Sequence, residues 1–334
     1  MKKILALVLA LAMLLSVTAA MADGIKVGII NNPPSESGYR AANVADFEKV
    51  FCEANGYSVQ TKYAGENDDQ LEAAKQFIND GVDYLLISAA ETTGWEAVLK
   101  DAKEQGIGVF LFDRMIEVDP EYYEAAVVSD MASEGKNAVQ WLLDQNLPEY
   151  KVVHIQGKIQ SDAQIGRTAA LDEQFANGKM TKVVQQAAGV WDPVEAKKIM
   201  QQVIDSGEDF NVLYSENTGM ALGAVKAMDE AGITHGRDGK VIVMAFDCDI
   251  WAMEKVYAGE WNFIQQCSPF QAALIDEMIK KLQAGEAIEG LDENKKIVNP
   301  ERGFDTATIT EEEVKTYSWD GTAPATEAEE APAA

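Results

Sequence analysis

Between residues 25 and 284 the sequence alternates short, nearly unbroken apolar runs with longer amphipathic stretches, and it does so twice. In the first pass, strand-like runs at residues 25–30, 58–63, 83–88 and 108–113 are separated by helical spacing over 38–53, 68–80 and 95–104. The runs Tyr84-Leu85-Leu86-Ile87 and Val109-Phe110-Leu111-Phe112 contain no polar residue, so such strands must be covered on both faces. Repeated strand–helix units with strands of this kind form a parallel sheet between helical layers. The pattern restarts at Lys151, with strands at 151–156, 183–188, 212–215 and 241–247 and helices over 165–177, 193–206, 218–231 and 250–258. One more strand, 263–267, and one more helix, 269–284, follow. Asp192 before Pro193 is a helix start, with Asp as the cap and Pro in the first turn. A chain of 334 residues exceeds one ordinary core, so the expectation is an α/β fold of two doubly wound parallel-sheet lobes.

The two ends read differently. Lys2 and Lys3 precede an apolar run over residues 4–15, too short to span a bilayer comfortably, and Ala20-Met21-Ala22 fits a small-x-small cleavage site. Residues 1–22 are therefore expected to be a secretory signal peptide, with no Cys beside the cleavage site to accept a lipid. No later segment is apolar for 18 residues. Residues 321–334 are Ala, Pro, Thr and Glu without apolar periodicity and are expected to be a disordered acidic tail.

Charge excludes partners. There are 55 acidic against 28 basic residues, a formal net charge of −27, which argues against nucleic acid and against docking on an anionic membrane. The three cysteines, Cys52, Cys248 and Cys267, form no CxxC, and Cys248 and Cys267 are either a pair or two buried thiols. The two histidines have no second ligand at metal spacing, and His154, inside an apolar strand, reads as a core histidine. There is no GxxxxGK[ST], no GxGxxG after the first strand and no GxSxG, so phosphate cradling and acyl transfer have no support. Asp68-Asp69 and the acids at 117–121 do not fit an EF-hand loop and read as solvated loops.

In open parallel sheets ligands bind beyond the carboxyl ends of the strands. The polar residues there are Ser35, Glu36, Ser37, Tyr39 and Arg40 after the first strand, Glu91 and Thr92 after the third, and Asp113-Arg114 at the fourth. The second half supplies Asp162 and Arg167, Trp191-Asp192, Glu216-Asn217-Thr218, Phe246-Asp247 and Gln265-Gln266. Singly, each has a plainer reading: Asp247 and Asn217 as helix caps, Arg40 and Arg167 as surface charges, Trp191 as core. Together at one edge they suit a sugar. Planar polar groups donate to one hydroxyl and accept from the next, and the aromatics Tyr39, Trp191 and Phe246 cover the C–H faces of the ring.

Glu36-Ser37-Gly38-Tyr39-Arg40, Thr93-Gly94-Trp95-Glu96, Val98-Leu99-Lys100, Phe112-Asp113-Arg114, Trp191-Asp192, Asn217 followed by Met220-Ala221-Leu222-Gly223-Ala224, and Phe246-Asp247 occur in that order. Their order and spacing resemble the periplasmic sugar-binding proteins of ABC importers, in the ribose/galactose-binding group and with particular similarity to its galactofuranose-binding members, over roughly residues 24–318. The resemblance implies the type I fold with a three-strand hinge crossed near residues 130, 267 and 298. It places 23–129 plus 268–298 in an N-terminal lobe and 130–267 plus 299–320 in a C-terminal lobe. It implies sugar contacts at Glu36, Tyr39, Arg40, Asp113, Arg114, Arg167, Trp191, Asn217, Phe246, Asp247 and Gln266. It further implies a monomer with no catalytic residue, cofactor or metal, whose closed form a membrane permease recognises. Thr218, Cys248 and Tyr39 depart from residues common at those positions, so the exact sugar stays open. Two other readings remain: a sensor presenting sugar to a chemoreceptor or histidine kinase, and a secreted sugar-active enzyme. A cytoplasmic sugar-responsive repressor is set aside, because no basic helix-turn-helix segment precedes Ile25.

Overall fold

The computed structural model describes residues 24–327; the expected signal peptide and the last residues of the tail, 328–334, lie outside them. In chain order the elements are β1 (Ile25–Asn31), α1 (Gly38–Val50), β2 (Tyr57–Tyr63), α2 (Asn67–Asn79), β3 (Tyr84–Ile87), α3 (Glu96–Glu104), β4 (Gly108–Asp113) and β5 (Ala125–Val128). The second set is α4 (Met131–Asp144), β6 (Lys151–Gln156), α5 (Asp162–Ala176), β7 (Thr181–Ala187), α6 (Pro193–Ser206), β8 (Val212–Ser215), α7 (Thr218–Glu230), β9 (Ile242–Phe246), α8 (Ile250–Ala258) and β10 (Phe263–Gln265). Then come α9 (Ala272–Gln283), β11 (Lys296–Val298), β12 (Gly303–Asp305) and α10 (Glu311–Tyr317).

Two six-stranded sheets result, ordered β11-β5-β4-β3-β1-β2 and β12-β10-β9-β8-β6-β7. Every pairing is parallel except β10 with β12. Both faces of each sheet are covered, as the apolar runs require. In β4, Val109 and Leu111 join one buried cluster while Phe110 and Phe112 join the other. In β8, Leu213 faces one cluster and Val212 and Tyr214 face its opposite. The edge strands β2 and β7 are half polar and partly to fully exposed apart from Tyr57, which spares them apolar edges open to pairing.

This topology positions the site. Each sheet lays its second strand on one side of the first and its third on the other, so a crevice opens at the carboxyl ends of β1/β3 and of β6/β8. The chain leaves the first sheet after β5 at residues 129–130, returns after β10 at 266–271, and crosses again between β11 and β12 at 299–302. These three connectors form the hinge.

Some boundaries differ from the sequence reading. Helix α1 stops at Val50 rather than continuing to 53, because a short turn and Gly56 at φ 88° redirect the chain into β2. Helix α9 begins at Ala272, after the connector has passed Pro269. The reading passed over β5, α4, β11, β12 and α10. Helices α4 and α10 carried start signals, the Asp130 cap and the Thr310/Glu313 capping box, whereas β11 and β12 are three residues each and show no period. All three cysteines are free. Residues 321–327 run without helix or strand, and Glu327 reaches Lys197 of α6 at 3.4 Å. No described helix is long and apolar enough to cross a membrane.

Candidate functional site

In each lobe the helix that follows the first central strand, β1 or β6, carries a buried arginine aimed at the aspartate at the carboxyl end of the fourth strand, β4 or β9. In the first lobe Ser37 caps α1 through the Arg40 N–H, and Arg40, fully buried, donates from Nη2 to Asp113 Oδ2 at 2.5 Å. Its Nε donates to Glu36 Oε2 at 3.1 Å and its Nη1 to Asn31, Asn43 and Ser88. In the second lobe Arg167 of α5 donates from Nη2 to Asp247 Oδ1 at 3.3 Å, from Nε to Glu134 Oε2 at 2.8 Å and from Nη1 to the Glu216 carbonyl at 2.6 Å. Repeating the same device across the two halves shows what the strand-end positions have in common.

Asp113, Asp247 and Trp191 have φ of 66°, 82° and 59°, a region that L-residues other than Asn and Asp rarely adopt. All three line the space between the lobes. Backbone strain gathered in this way marks a site whose side chains must point where an ordinary turn would not send them.

That space is a small, predominantly polar cleft between the lobes. Tyr39, Asp113 and Arg114 face it from one lobe, and Arg167, Trp191, Asn217 and Asp247 from the other, with Ser37, Met131, Ala163 and Cys267 completing the wall. The Tyr39 hydroxyl donates to Asp113 Oδ1 at 2.8 Å, which turns its ring edge-on to Trp319. The Arg114 guanidinium lies 5.9 Å from the Trp191 ring centre, across the gap. Met115 N–H donates to Asp162 at 2.9 Å, Thr92 N–H donates to the Gln160 carbonyl at 3.3 Å, and Lys158 donates to the Gly65 carbonyl. These bonds join opposite lobes, so the molecule is in a closed form.

Electrostatics differ between the halves. Burial pushes the Asp113 carboxyl up, but Arg40 and Arg114 outweigh it and hold the group below the usual carboxylate range. Burial pushes Asp247 up to about 7, because Arg167 is its single close cation while Asp249, Glu134 and Asp113 repel its charge. Burial, with Asp113 nearby, keeps the Tyr39 hydroxyl protonated and a donor. The cavity thus presents fixed acceptors, fixed donors and two aromatic rings within one small volume.

Of the residues expected from sequence, seven line the cavity. Glu36 and Arg40 stand behind the wall: Glu36 is bonded to Arg40 and, at 3.4 Å, to Arg114. Phe246 lies under Arg167, 4.8 Å from its guanidinium, packed with Tyr214 in the core. Gln266 donates its backbone N–H to the Arg302 carbonyl and does not line the cavity. His154 is buried, with Nε2 3.0 Å from Glu216. Sequence reasoning missed Met131, Ala163 and Cys267 in the wall and Glu134 behind Arg167. Glu134 lies on α4, whose Asp130 cap was the available signal; the wall residues carry none, being ordinary small or apolar side chains.

A family model described as "Periplasmic binding protein domain" matches residues 27–287. The galactofuranose-binding protein YtfQ of Escherichia coli (strain K12) is 34% identical over 227 residues, 66% of this chain and 70% of that protein. A solved galactofuranose binding protein superposes with a TM-score of 0.77 at 28% identity, covering 88% of this chain and 98% of that one. The binding component of the arabinose ABC transporter from Shewanella sp. ANA-3, bound to α- and β-L-arabinofuranose, gives 0.75 at 26% identity, covering 87% and 93%.

Proposed function

Since this chain belongs to the periplasmic binding protein domain family, we propose that it captures one neutral monosaccharide between its lobes and delivers it to the permease of an ABC importer. The family consists of binding proteins rather than enzymes. The sugar is galactofuranose-like or a pentose, held in the furanose form. The observation that carries this reading is the cleft between the lobes, where Asp113, Arg114, Arg167, Asn217 and Asp247 from two lobes line a space flanked by Tyr39 and Trp191. The furanose preference is supported by the names of two similar proteins, one galactofuranose-binding and one bound to arabinofuranose.

In this reading Tyr39 and Trp191 pack the ring, and Asp113, Arg114, Arg167, Asn217 and Asp247 bond its hydroxyls. Glu36 and Arg40 hold Asp113 and Arg114 in place, and Phe246 props Arg167 from below. The signal peptide at residues 1–22 directs export, and the mature protein is a monomer that closes by bending its connectors.

A thermal-shift panel of pentoses, hexoses and their furanose-rich forms tests the proposal. A ligand at 100 times its Kd stabilises the folded state by about 2.7 kcal/mol, so the right sugar stands well clear of the others. No shift with any neutral sugar would refute it.

A further inference from the structure

One carboxyl touches all three connectors between the lobes. Glu301, on the third, accepts at Oε1 from the Ser129 hydroxyl of the first at 2.7 Å and from the Ser268 N–H of the second at 2.6 Å. Glu134 of α4 lies beside it. One Glu134 oxygen is taken by Arg167, while the other, Oε1, is buried and has no donor. Donor atoms of Glu134, Cys267 and Glu301 all lie within 4.8 Å of one another. Two carboxylates this close in a buried place do not both ionise, and a buried acceptor without a donor is unfavourable. One proton between them resolves both problems.

We propose that Glu301 is kept as a neutral carboxylic acid at neutral pH, that its O–H donates to Glu134 Oε1, and that this bond clasps the three connectors to Arg167 in the cavity wall. Glu301 is thereby a positioning residue: the chain Glu301–Glu134–Arg167–Asp247 runs from hinge to cavity. Burial, reinforced by Glu134, pushes the Glu301 carboxyl up to about 9 against the hydrogen bonds from Ser268 and Ser129. Burial also raises Glu134, against the pull of Arg167. The other groups facing the pair add no free cation. Arg167 is shared with Asp247, burial keeps the Cys267 thiol neutral, and the neighbouring Arg302 turns outward to Glu313 at 3.0 Å. Loss of the proton sets two negative charges against each other at the hinge.

The test needs no ligand, so its failure is separable from failure of the sugar reading. Urea unfolding of the wild type, Glu301→Gln and Glu301→Ala is followed from pH 5 to 10, with and without EDTA. A carboxyl whose folded pKa is raised stabilises fully below its unfolded pKa and loses that contribution as pH rises to the folded value. The wild-type folding constant should therefore fall relative to Glu301→Gln, by up to roughly tenfold per pH unit for one proton, and run parallel to it above about 9. Glu301→Gln keeps the shape and an N–H donor; Glu301→Ala should be less stable throughout. Parallel wild-type and Gln curves over the whole range would overturn the proposal, and so would wild-type stability that EDTA removes, which would mean a metal cation in place of the proton. Should Glu301→Gln fail to fold, the infrared C=O stretch of a protonated carboxyl in the wild type decides: present at pH 7 and lost near 9 if the clasp exists, absent at pH 7 if it does not.

Discussion

Replacing Gly38 with alanine should penalise closure and little else. Gly38 is the first residue of α1 in one lobe; Asp249 heads α8 in the other. A Cβ on Gly38 would stand 1.8 Å from Asp249 Oδ1 and 2.8 Å from its Cγ. Asp249 has little room to yield, being 1% exposed and held through Oδ2 by the Thr218 hydroxyl at 2.5 Å. The contact exists only where the lobes meet, and away from it a first-turn alanine is no worse a helix residue than glycine. Ligand-free stability in urea should therefore be unchanged or slightly higher. Overpacking of a tight contact costs about 1–3 kcal/mol. Placed wholly on the closed state, that lowers sugar affinity by roughly 5- to 150-fold. Calorimetry with the sugar selected by the panel reads the loss, and small-angle scattering reads the failure to compact on binding. Adding Asp249→Ala removes the obstructing carboxylate and should recover much of the affinity. Wild-type affinity in Gly38→Ala would refute a closure contact at this point, and no recovery in the double variant would refute its steric origin.

Arg114→Ala should abolish measurable sugar binding while the protein stays folded, since Arg114 faces the cavity and its contacts to Glu36, Asp113 and the Ala89 carbonyl are long, at 3.3–3.4 Å; unchanged calorimetric affinity would remove it from the site. Asp113→Ala is the harsher change, because it leaves fully buried Arg40 short of its closest anion; loss of one partner of a buried pair costs about 3–5 kcal/mol, visible as a lowered urea midpoint. Asp247, raised to about 7, takes up a proton on folding, so its share of ligand-free stability should fall as pH rises from the ordinary carboxylate range and be gone by about 7, leaving the Glu301 share to fall further toward about 9. Asp247→Asn should lower the slope below pH 7 by the Asp247 share alone, and an identical slope in the variant would place that titration elsewhere. Gly157→Ala puts a Cβ 2.0 Å from the Trp191 ring and should weaken binding by displacing that wall, with the indole fluorescence change on sugar addition as the readout.

The lobes were legible because their strands are apolar enough to demand cover on both faces, as in Tyr84–Ile87, and because helix starts such as Asp192-Pro193 are local chemistry. The cavity residues were legible as types, since strand ends in such sheets are where ligands sit. Their roles were less so. Arg40 and Arg167 occupy equivalent places in their lobes and look alike in sequence, yet one is sealed behind Asp113 and the other lines the cavity. Phe246 is apolar and adjacent to Asp247, but the alternation of side chains along β9 turns it to the opposite face. Met131 and Ala163 were invisible, being ordinary apolar residues, and Glu134 showed only as part of a helix capped by Asp130, because what ties it to the site is Arg167, more than thirty residues away.

By itself the sequence determined the α/β class, the two-lobe repeat, the acidic surface and the set of side chains available to a sugar, since these follow from periodicity, composition and local turn chemistry. Only the tertiary structure decided which groups keep their charge. Asp113 and Asp247 are the same residue at equivalent strand ends, yet Asp113 meets two arginines and is held ionised, while Asp247 shares one with Glu134 and is pushed up to about 7. Glu301 is one acid among 55 in the sequence; it becomes a hinge proton carrier because three connectors and Glu134 converge on it. Ionisation depends on burial and on charges within a few ångströms, and chain folding alone brings those together.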